Sequence, residues 1–461
     1  AITVRGDTGT VFPQAALLDR AANLHLARAL RDALPITDPD ALQLVGAIVG
    51  ALWAASGLAL LRALSLNGAP LGAATLVLLL SGIPVHFAGY DKFGPLTLGL
   101  ALAATGAVRA MQGARPWLLT LGMAVALLSH RTGLLVLPGA LIVLGALVRR
   151  GGSPRRDALL SLAGLVFISA YAVPQAFSSL TSIDRARHLS GWAPGQLWDA
   201  LQLLWFLVPL WLPGVVAAWT LRALPARRDE PHWPGEAHHA MAVALTLPIV
   251  LLVAVRGSQG AARDWDMHVP TASLVALATS AALGLTWQRS GVGAQASARS
   301  LALALALAAG TSLALWTLHT DSRAQMARIE DQLHIRSAWS NEAWARAQDF
   351  MGLQSLRAGQ PEAAVVHWRQ AIEGAPNPRY FYQVALANMR LGQWDEAREG
   401  FALTQARDPA NADVWVGRSM VAASMDSMGA ALAYADSALR RQPRKWDALE
   451  MRRKLLQNQV R

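Results

Sequence analysis

Apolar stretches close in length to the hydrocarbon core of a bilayer follow one another through the first two thirds of this chain of 461 residues. A helix that is apolar all round has to be buried in lipid or in protein, so these stretches narrow the fold more than any other feature. They lie at about 41–61, 71–85, 95–108, 117–128, 133–148, 158–177, 197–221, 239–255, 269–287 and 300–318. This predicts an all-α polytopic bundle of about ten transmembrane helices. The stretches 95–108, 117–128 and 133–148 fall short of the roughly 20 residues that a spanning helix needs, and are expected to pack against longer neighbours or to be partly re-entrant.

The balance of residues agrees. Hydrophobic residues make up 53% of the chain and charged residues 15%, against about 25% charged in an ordinary soluble domain, which excludes both a soluble globule and a disordered chain. With no cysteine, disulfides, thiolate nucleophiles and Cys-ligated metals are excluded together. The net charge of +11 does not form a nucleic-acid footprint, because there is no single basic stripe. Lys and Arg number 22 against 14 Asp and Glu up to Leu318, and most of them sit in short loops between apolar runs.

Such loops face the cytoplasm. Alternating ten spans places Arg62, Arg109, Arg115, Arg149, Arg150, Arg155, Arg156, Arg222, Arg227, Arg228, Arg289 and Arg299 on that side. Residues 1–40, the loops 86–93, 178–196 and 256–268, the turn 129–132 and the C-terminal tail then face outward. The chain opens at Ala1 on an outward segment with no apolar run before it, so a span upstream of it is expected and 1–40 reads as the first extracytoplasmic loop. Thr37-Asp38-Pro39-Asp40 carries the residues of a helix start, which predicts a structural role for both carboxylates. The layout is a transmembrane region over 41–318, a linker helix over 319–343 and a repeat region over 344–461.

The repeat region has a period of 33 to 34. Gly359 and Gly392, Ala363 and Ala397, the aromatics Trp368, Phe401 and Tyr434, and Pro376, Pro409 and Pro443 recur at that spacing, which is the tetratricopeptide period. Each unit has a small residue where two helices cross, an aromatic filling the hole and a proline ending the second helix. Three units are expected, at about 344–377, 378–410 and 411–444, followed by a capping helix over 446–460. The third departs from the pattern, since residues 424–428 stand where its turn glycine would be. Stacked repeats make a concave surface for a peptide or protein partner.

Ionisable residues at the outer ends of the spans are the candidates for chemistry, because a charge beside hydrocarbon needs a reason. They form four groups: Arg5 and Asp7 with Asp19, Asn23 and His25; His86 with Tyr90, Asp91 and Lys92; His130 with Arg131; and Arg263, Asp264 and Asp266 with His268. Each also has a structural explanation: Asp91 and Lys92 as a salt bridge, Trp265 as an interfacial anchor, and the Asp-x-Asp spacing as chance. No Walker, dinucleotide-binding, H-E-x-x-H or G-x-S-x-G motif is present, which leaves soluble nucleotide and hydrolase chemistry unsupported. Carboxylates, imidazoles and guanidinium groups beside lipid suit a lipid-phosphate substrate.

The order of an Asp-bearing first outer loop, Gly89-Tyr90-Asp91, a His-containing turn leading into Thr132–Pro138 and Arg263-Asp264-Trp265-Asp266 resembles the GT-C glycosyltransferases. With the repeat tail, the layout resembles the transmembrane and tetratricopeptide-repeat O-mannosyltransferases. The resemblance implies inverting transfer of a sugar from a polyprenyl-phosphate donor to an acceptor outside the bacterial cytoplasmic membrane, with the repeats also outside. It makes Asp7 the general base by order in the chain, although no second acidic residue adjoins it, and keeps Asp91 and Asp264 as alternative catalytic carboxylates. Lys92, His130, Arg131 and Arg263 would hold the leaving phosphate. His86, Tyr90, Asp266 and His268 are further candidates, and a divalent metal is left open. Two other readings stand beside it: an O-antigen-ligase-like or polymerase-like transferase using Arg187 and His188, and a membrane scaffold whose repeats capture peptides.

Overall fold

The computed structural model describes residues 17–87, 93–178, 194–221, 223–224, 268–290, 294–320, a few between 327 and 336, 341–443 and 445–459. Among these residues every regular element is a helix. They divide into two compact units, Ala1–Asp321 and Ser322–Arg461.

In the first unit α1 (Leu17–Arg20) passes through a π-helical turn at Ala21–Leu26 into α2 (Ala27–Ala33). Next come α3 (Asp38–Ala63), α4 (Gly68–Leu79), α5 (Ile83–Phe87), α6 (Gly94–Met111) and α7 (Trp117–Ser129). A 3-10 turn (Arg131–Val136) leads to α8 (Leu137–Arg150), α9 (Gly152–Ser178), α10 (Pro194–Leu207), α11 (Trp211–Thr220), α12 (Val269–Ser290) and α13 (Ala294–Thr320). The start of α3 is a capping box: Asp40 donates its N–H to Thr37 Oγ1 at 3.4 Å, and the Asp40 carboxylate accepts the Thr37 N–H at 3.1 Å. That is the structural role expected of Asp40.

Among the described residues, five helical segments are long and apolar enough to cross a membrane: Asp40–Ala63, Gly94–Met111, Thr132–Arg150, Gly152–Pro174 and Val269–Ser290. A sixth is counted if Leu201–Leu207 and Trp211–Thr220, bent by 88°, form one span. The expectation of about ten is therefore too high. Hydropathy registers an apolar side chain whether lipid or protein covers it, and two of the expected spans are short helices packed in the bundle. With 12 and 13 residues, α4 and α7 are about 18 and 20 Å long and cannot bridge a core of about 30 Å. The stretch 71–85 is also interrupted where α4 stops before Ser81 and Gly82. The stretch 300–318 lies within α13, of which Leu305–Ala314 is apolar among the described residues, and 239–255 lies outside the described residues.

Side-chain register gives the helix directions. Ser56 and Thr105 hydroxyls lie 3.2 Å apart, and Gln112 Nε2 donates to the Ala63 carbonyl, so α3 and α6 run parallel. Trp53 Nε1 donates to Ser273 Oγ at 2.7 Å and Gln288 Nε2 to the Ser65 carbonyl at 3.1 Å, so α12 runs parallel to both. Gly99 faces Ala126 and Gly106 faces Leu119, which makes α7 antiparallel to α6. These glycines are required: a Cβ on Gly99 would lie 2.6 Å from the Ala126 nitrogen, so the small residues are what lets the two backbones meet. At the 88° bend, the Leu207 carbonyl accepts the Gly82 N–H at 2.8 Å, satisfying a group that the break exposes.

The second unit is a stack of tetratricopeptide-type helix pairs: α14 (Asn341–Arg357) with α15 (Pro361–Gly374), α16 (Pro378–Arg390) with α17 (Trp394–Arg407), α18 (Ala412–Ser424) with α19 (Met428–Arg441), and α20 (Trp446–Gln459) beyond them. Trp368 and Phe401 are fully buried, and truncating either to Ala would remove on the order of 3–5 kcal/mol. Tyr434, third in the series, is half-buried and accepts a hydrogen bond from Arg418 Nη2 at 2.7 Å. Each pair turns through a residue of positive φ: Gly359 at 77°, Gly392 at 72° and Asp426 at 55°. Asp426 thus takes the backbone position of the absent glycine, and the third corner is built like the other two.

Candidate functional site

The directions above, with Arg150 of α8 bonded to Met111 at the end of α6 and Asp157 of α9 facing Arg115 at the start of α7, sort the ionisable residues between two ends of the first unit. Where α3, α6, α8 and α12 finish and α7 and α9 begin lie Arg62, Arg109, Arg115, Arg149, Arg150, Arg155, Arg156 and Arg289. At the opposite end, where α6 and α12 begin and α5 and α7 finish, stand His86, His130 and His268. Helices too short to span still reverse the chain, so this sorting agrees with the alternation drawn from ten stretches even though the number of spans does not.

Of the site residues expected from sequence, Asp7, Tyr90, Asp91, Lys92, Arg263, Asp264 and Asp266 lie outside the described residues, as do Arg187 and His188. Arg131 opens the 3-10 turn, and only its backbone is described. His25 is exposed in the π-helical turn.

His130 is held by the turn it starts. Its Nδ1 accepts the Thr132 N–H at 3.2 Å and lies 2.9 Å from Thr132 Oγ1. An accepting Nδ1 places the proton of the neutral ring on Nε2 and makes that atom a donor. The ring packs edge-on against Phe93 with centroids 4.9 Å apart, joining the end of α7 to the start of α6. His86 is buried and meets Phe87 edge-on at 5.4 Å, and Phe87 meets Trp53 at 5.6 Å. Trp53 bonds Ser273, five residues beyond the buried His268. An aromatic chain thus runs from His86 through α3 to α12, while His130 is tied separately to α6. Among the described residues, no three His, Asp or Glu side chains come together as a metal-binding group.

The repeat unit has its own polar network. The Asp349 carboxylate accepts Trp368 Nε1 at 2.9 Å and Arg379 Nε at 3.1 Å, linking the first pair to α16. The Arg418 guanidinium lies 4.3 Å from the Tyr434 ring and 5.7 Å from that of Trp415, and Arg441 covers Trp415 at 4.2 Å. Burial, with Asp413 and Asp447 nearby, pushes the Tyr382 phenol up to about 12. Burial pulls His367 below the usual imidazole value, with Glu330 opposing.

Sequence reading did not single out the buried polar ties. Ser56 with Thr105 joins α3 to α6, and Gln288, 4% exposed, joins α12 to the α3–α4 turn by donating to Ser65 and accepting the Asn67 N–H at 3.3 Å. The signal was present as single hydroxyl or amide residues inside apolar runs, which need internal partners.

No family model matches the chain, and no curated protein matches it. Solved structures are similar to part of it, two tetratricopeptide domains among them. The first tetratricopeptide domain of Spaghetti (RPAP3), bound to an HSP90 peptide, is 18% identical, with 27% of this chain and 97% of that one covered at a TM-score of 0.25. The Arabidopsis OM64 tetratricopeptide domain is 20% identical, with 26% and 98% covered at a TM-score of 0.25.

Proposed function

We propose that this chain is an integral membrane transferase of the bacterial cytoplasmic membrane. It moves a sugar from a polyprenyl-phosphate donor to an acceptor on the outer side, and its repeat unit binds a protein or peptide. The observation that carries the reading is the uneven division of ionisable groups: Arg62, Arg109, Arg115, Arg149, Arg150, Arg155, Arg156 and Arg289 gather at one end of the bundle, whereas His86, His130 and His268 stand at the other with Arg131 beside them and Arg28 and Arg31 ahead of α3. By the positive-inside rule the arginine end is cytoplasmic. The histidine end is then the outer face, where a lipid-linked sugar is presented, and by the same alternation the repeats are extracytoplasmic.

Transfer to a hydroxyl needs a carboxylate to take its proton as the anomeric carbon is attacked, and donors to stabilise the departing phosphate. Asp7 is assigned the first task, with Asp91 and Asp264 as alternatives. His130 suits the second, because the Thr132 N–H fixes its ring with Nε2 as donor. Lys92, Arg131 and Arg263 are assigned the same task, and His86, Tyr90, Asp266 and His268 are further candidates for contact with the substrate.

The test is transfer from a radiolabelled polyprenyl-phosphate sugar in proteoliposomes. Asp7→Ala at retained expression is expected to lower the rate at least about 100-fold, the usual contribution of a general base. Unchanged transfer would remove Asp7 from the mechanism. Loss with His188→Ala and not with Asp7→Ala would move the site to the ligase-like alternative.

A further inference from the structure

We propose that α9 carries a binding site for one anionic phospholipid at the arginine end of the bundle; the inference rests on the membrane placement proposed above. Arg155, Arg156, Leu159 and Leu160, with Gly152, line an open cavity of about 350 Å³. Both guanidinium groups are exposed, and among the described residues neither takes part in a hydrogen bond or ion pair. The neighbouring carboxylate is already engaged: Asp157 faces Arg115 of the α7 start at 3.6 Å, so its charge is offset. Arg150 is occupied as well, donating Nη1 to the Met111 carbonyl at 3.0 Å. The cavity therefore presents two cations to a ligand and no uncompensated anion.

The surface beyond the cavity decides what the ligand is. Leu160, Val166, Phe167 and Tyr171 are 64%, 68%, 81% and 50% exposed. The spacings 156, 160, 167, 171 and 155, 159, 166 keep them on one face of the helix. From Arg156 to Phe167 the helix rises about 16 Å, the depth of one leaflet of hydrocarbon. Two cations at the interface and an apolar strip one leaflet deep match a phosphodiester headgroup with its acyl chains. A free phosphate would use only the cations, and a neutral lipid only the strip.

The experiment is native mass spectrometry of the full chain, released from nanodiscs of equal phosphatidylglycerol and phosphatidylcholine. The wild type is expected to retain phosphatidylglycerol preferentially. Arg155→Ala with Arg156→Ala should cut that preference on the order of 30-fold, about a factor of 5 for each guanidinium at a membrane surface. Arg155→Lys with Arg156→Lys should keep most of it, which guards against a folding defect in the alanine variant. Phe167→Ser should weaken retention of both lipids without changing the preference. An unchanged preference in the double alanine variant overturns the site, and so does full competition by inorganic phosphate. A dimer that excludes lipid from both copies would assign the strip to a second copy and also overturn it. Carbonate extraction of the wild type from membranes is the separate control: release would sink the membrane reading, whereas retention with no lipid preference would sink only the site.

Discussion

Asp426 closes the third repeat with a backbone angle that glycine adopts freely and an L side chain adopts at a cost. Its hydrogen bonds repeat those of the glycine corners: Asp426 and Ser427 donate to the Ala423 and Ala422 carbonyls at 3.2 and 2.9 Å, as Gly392 and Gln393 donate to Met389 and Asn388 at 3.2 and 2.9 Å. Asp426→Gly should therefore stabilise the third pair by up to about 1 kcal/mol, the roughly 1–2 kcal/mol cost of a left-handed L residue less the roughly 0.4–1 kcal/mol of entropy that glycine adds to the unfolded chain. Slower hydrogen exchange in α18 and α19 would record it, and unchanged or faster exchange would contradict it. His367 offers a second test at this scale. Its Nδ1 lies 2.7 Å from Gln348 Oε1, and burial favours the neutral ring, so the folded value lies below the unfolded one. The stability it confers is complete above about 6.5 and is lost as pH falls through that value toward the folded one. Hydrogen exchange of α15 in the wild type, compared with His367→Gln at pH 7 and pH 5, should show an acid-sensitive difference that closes at the lower pH. A difference that widened on acidification would reverse the sign of the argument.

At the scale of elements, α6 and α7 are held by what their glycines omit. A Cβ on Gly106 would overlap the Leu119 backbone and one on Gly122 the Ala103 backbone, and backbone, unlike the end of a flexible side chain, cannot move aside. Gly106→Val should cost about 1–3 kcal/mol or more, the range for overpacking, and lower the melting temperature of the detergent-solubilised protein; an unshifted melt would show that the pair is not tightly seated. The same contact explains which elements were legible. The repeats could be read because each needs one aromatic, one small residue and one proline at a fixed spacing. Even the third unit, lacking its glycine, keeps the other markers. The bundle was legible in its reversals and not in its spans, because α7 is as apolar as a lipid-facing helix and uses that surface against α6. As for the site, sequence could name His86, His130 and His268 as polar interruptions, but His130 meets Phe93 from the start of α6, and Phe87 beside His86 meets Trp53 of α3, and nothing local announces those pairings.

For the molecule as a whole, the proposal depends on which end of the bundle faces the cytoplasm, and the absence of cysteine makes this directly measurable. A single introduced thiol is the only target for a membrane-impermeant maleimide. Leu34, just before α3, is 42% exposed, and Ser153, in the first turn of α9 beside the clustered arginines, is exposed as well. Leu34 precedes the start of α3, whereas Ser153 lies at the end where α3 finishes, so the bilayer separates them if α3 spans it. Leu34→Cys should react in intact spheroplasts, and Ser153→Cys only after permeabilisation. The two sites differ by one membrane thickness and not by burial, so a reversed pattern has only one reading: the arginine end faces out. Moving a charged end against the orientation that its arginines favour is opposed by the membrane potential at about 2.3 kcal/mol per charge per 100 mV. With Arg149, Arg150, Arg155 and Arg156 in one turn region, that bias adds over four charges, which is why the labelling is expected to be all-or-none.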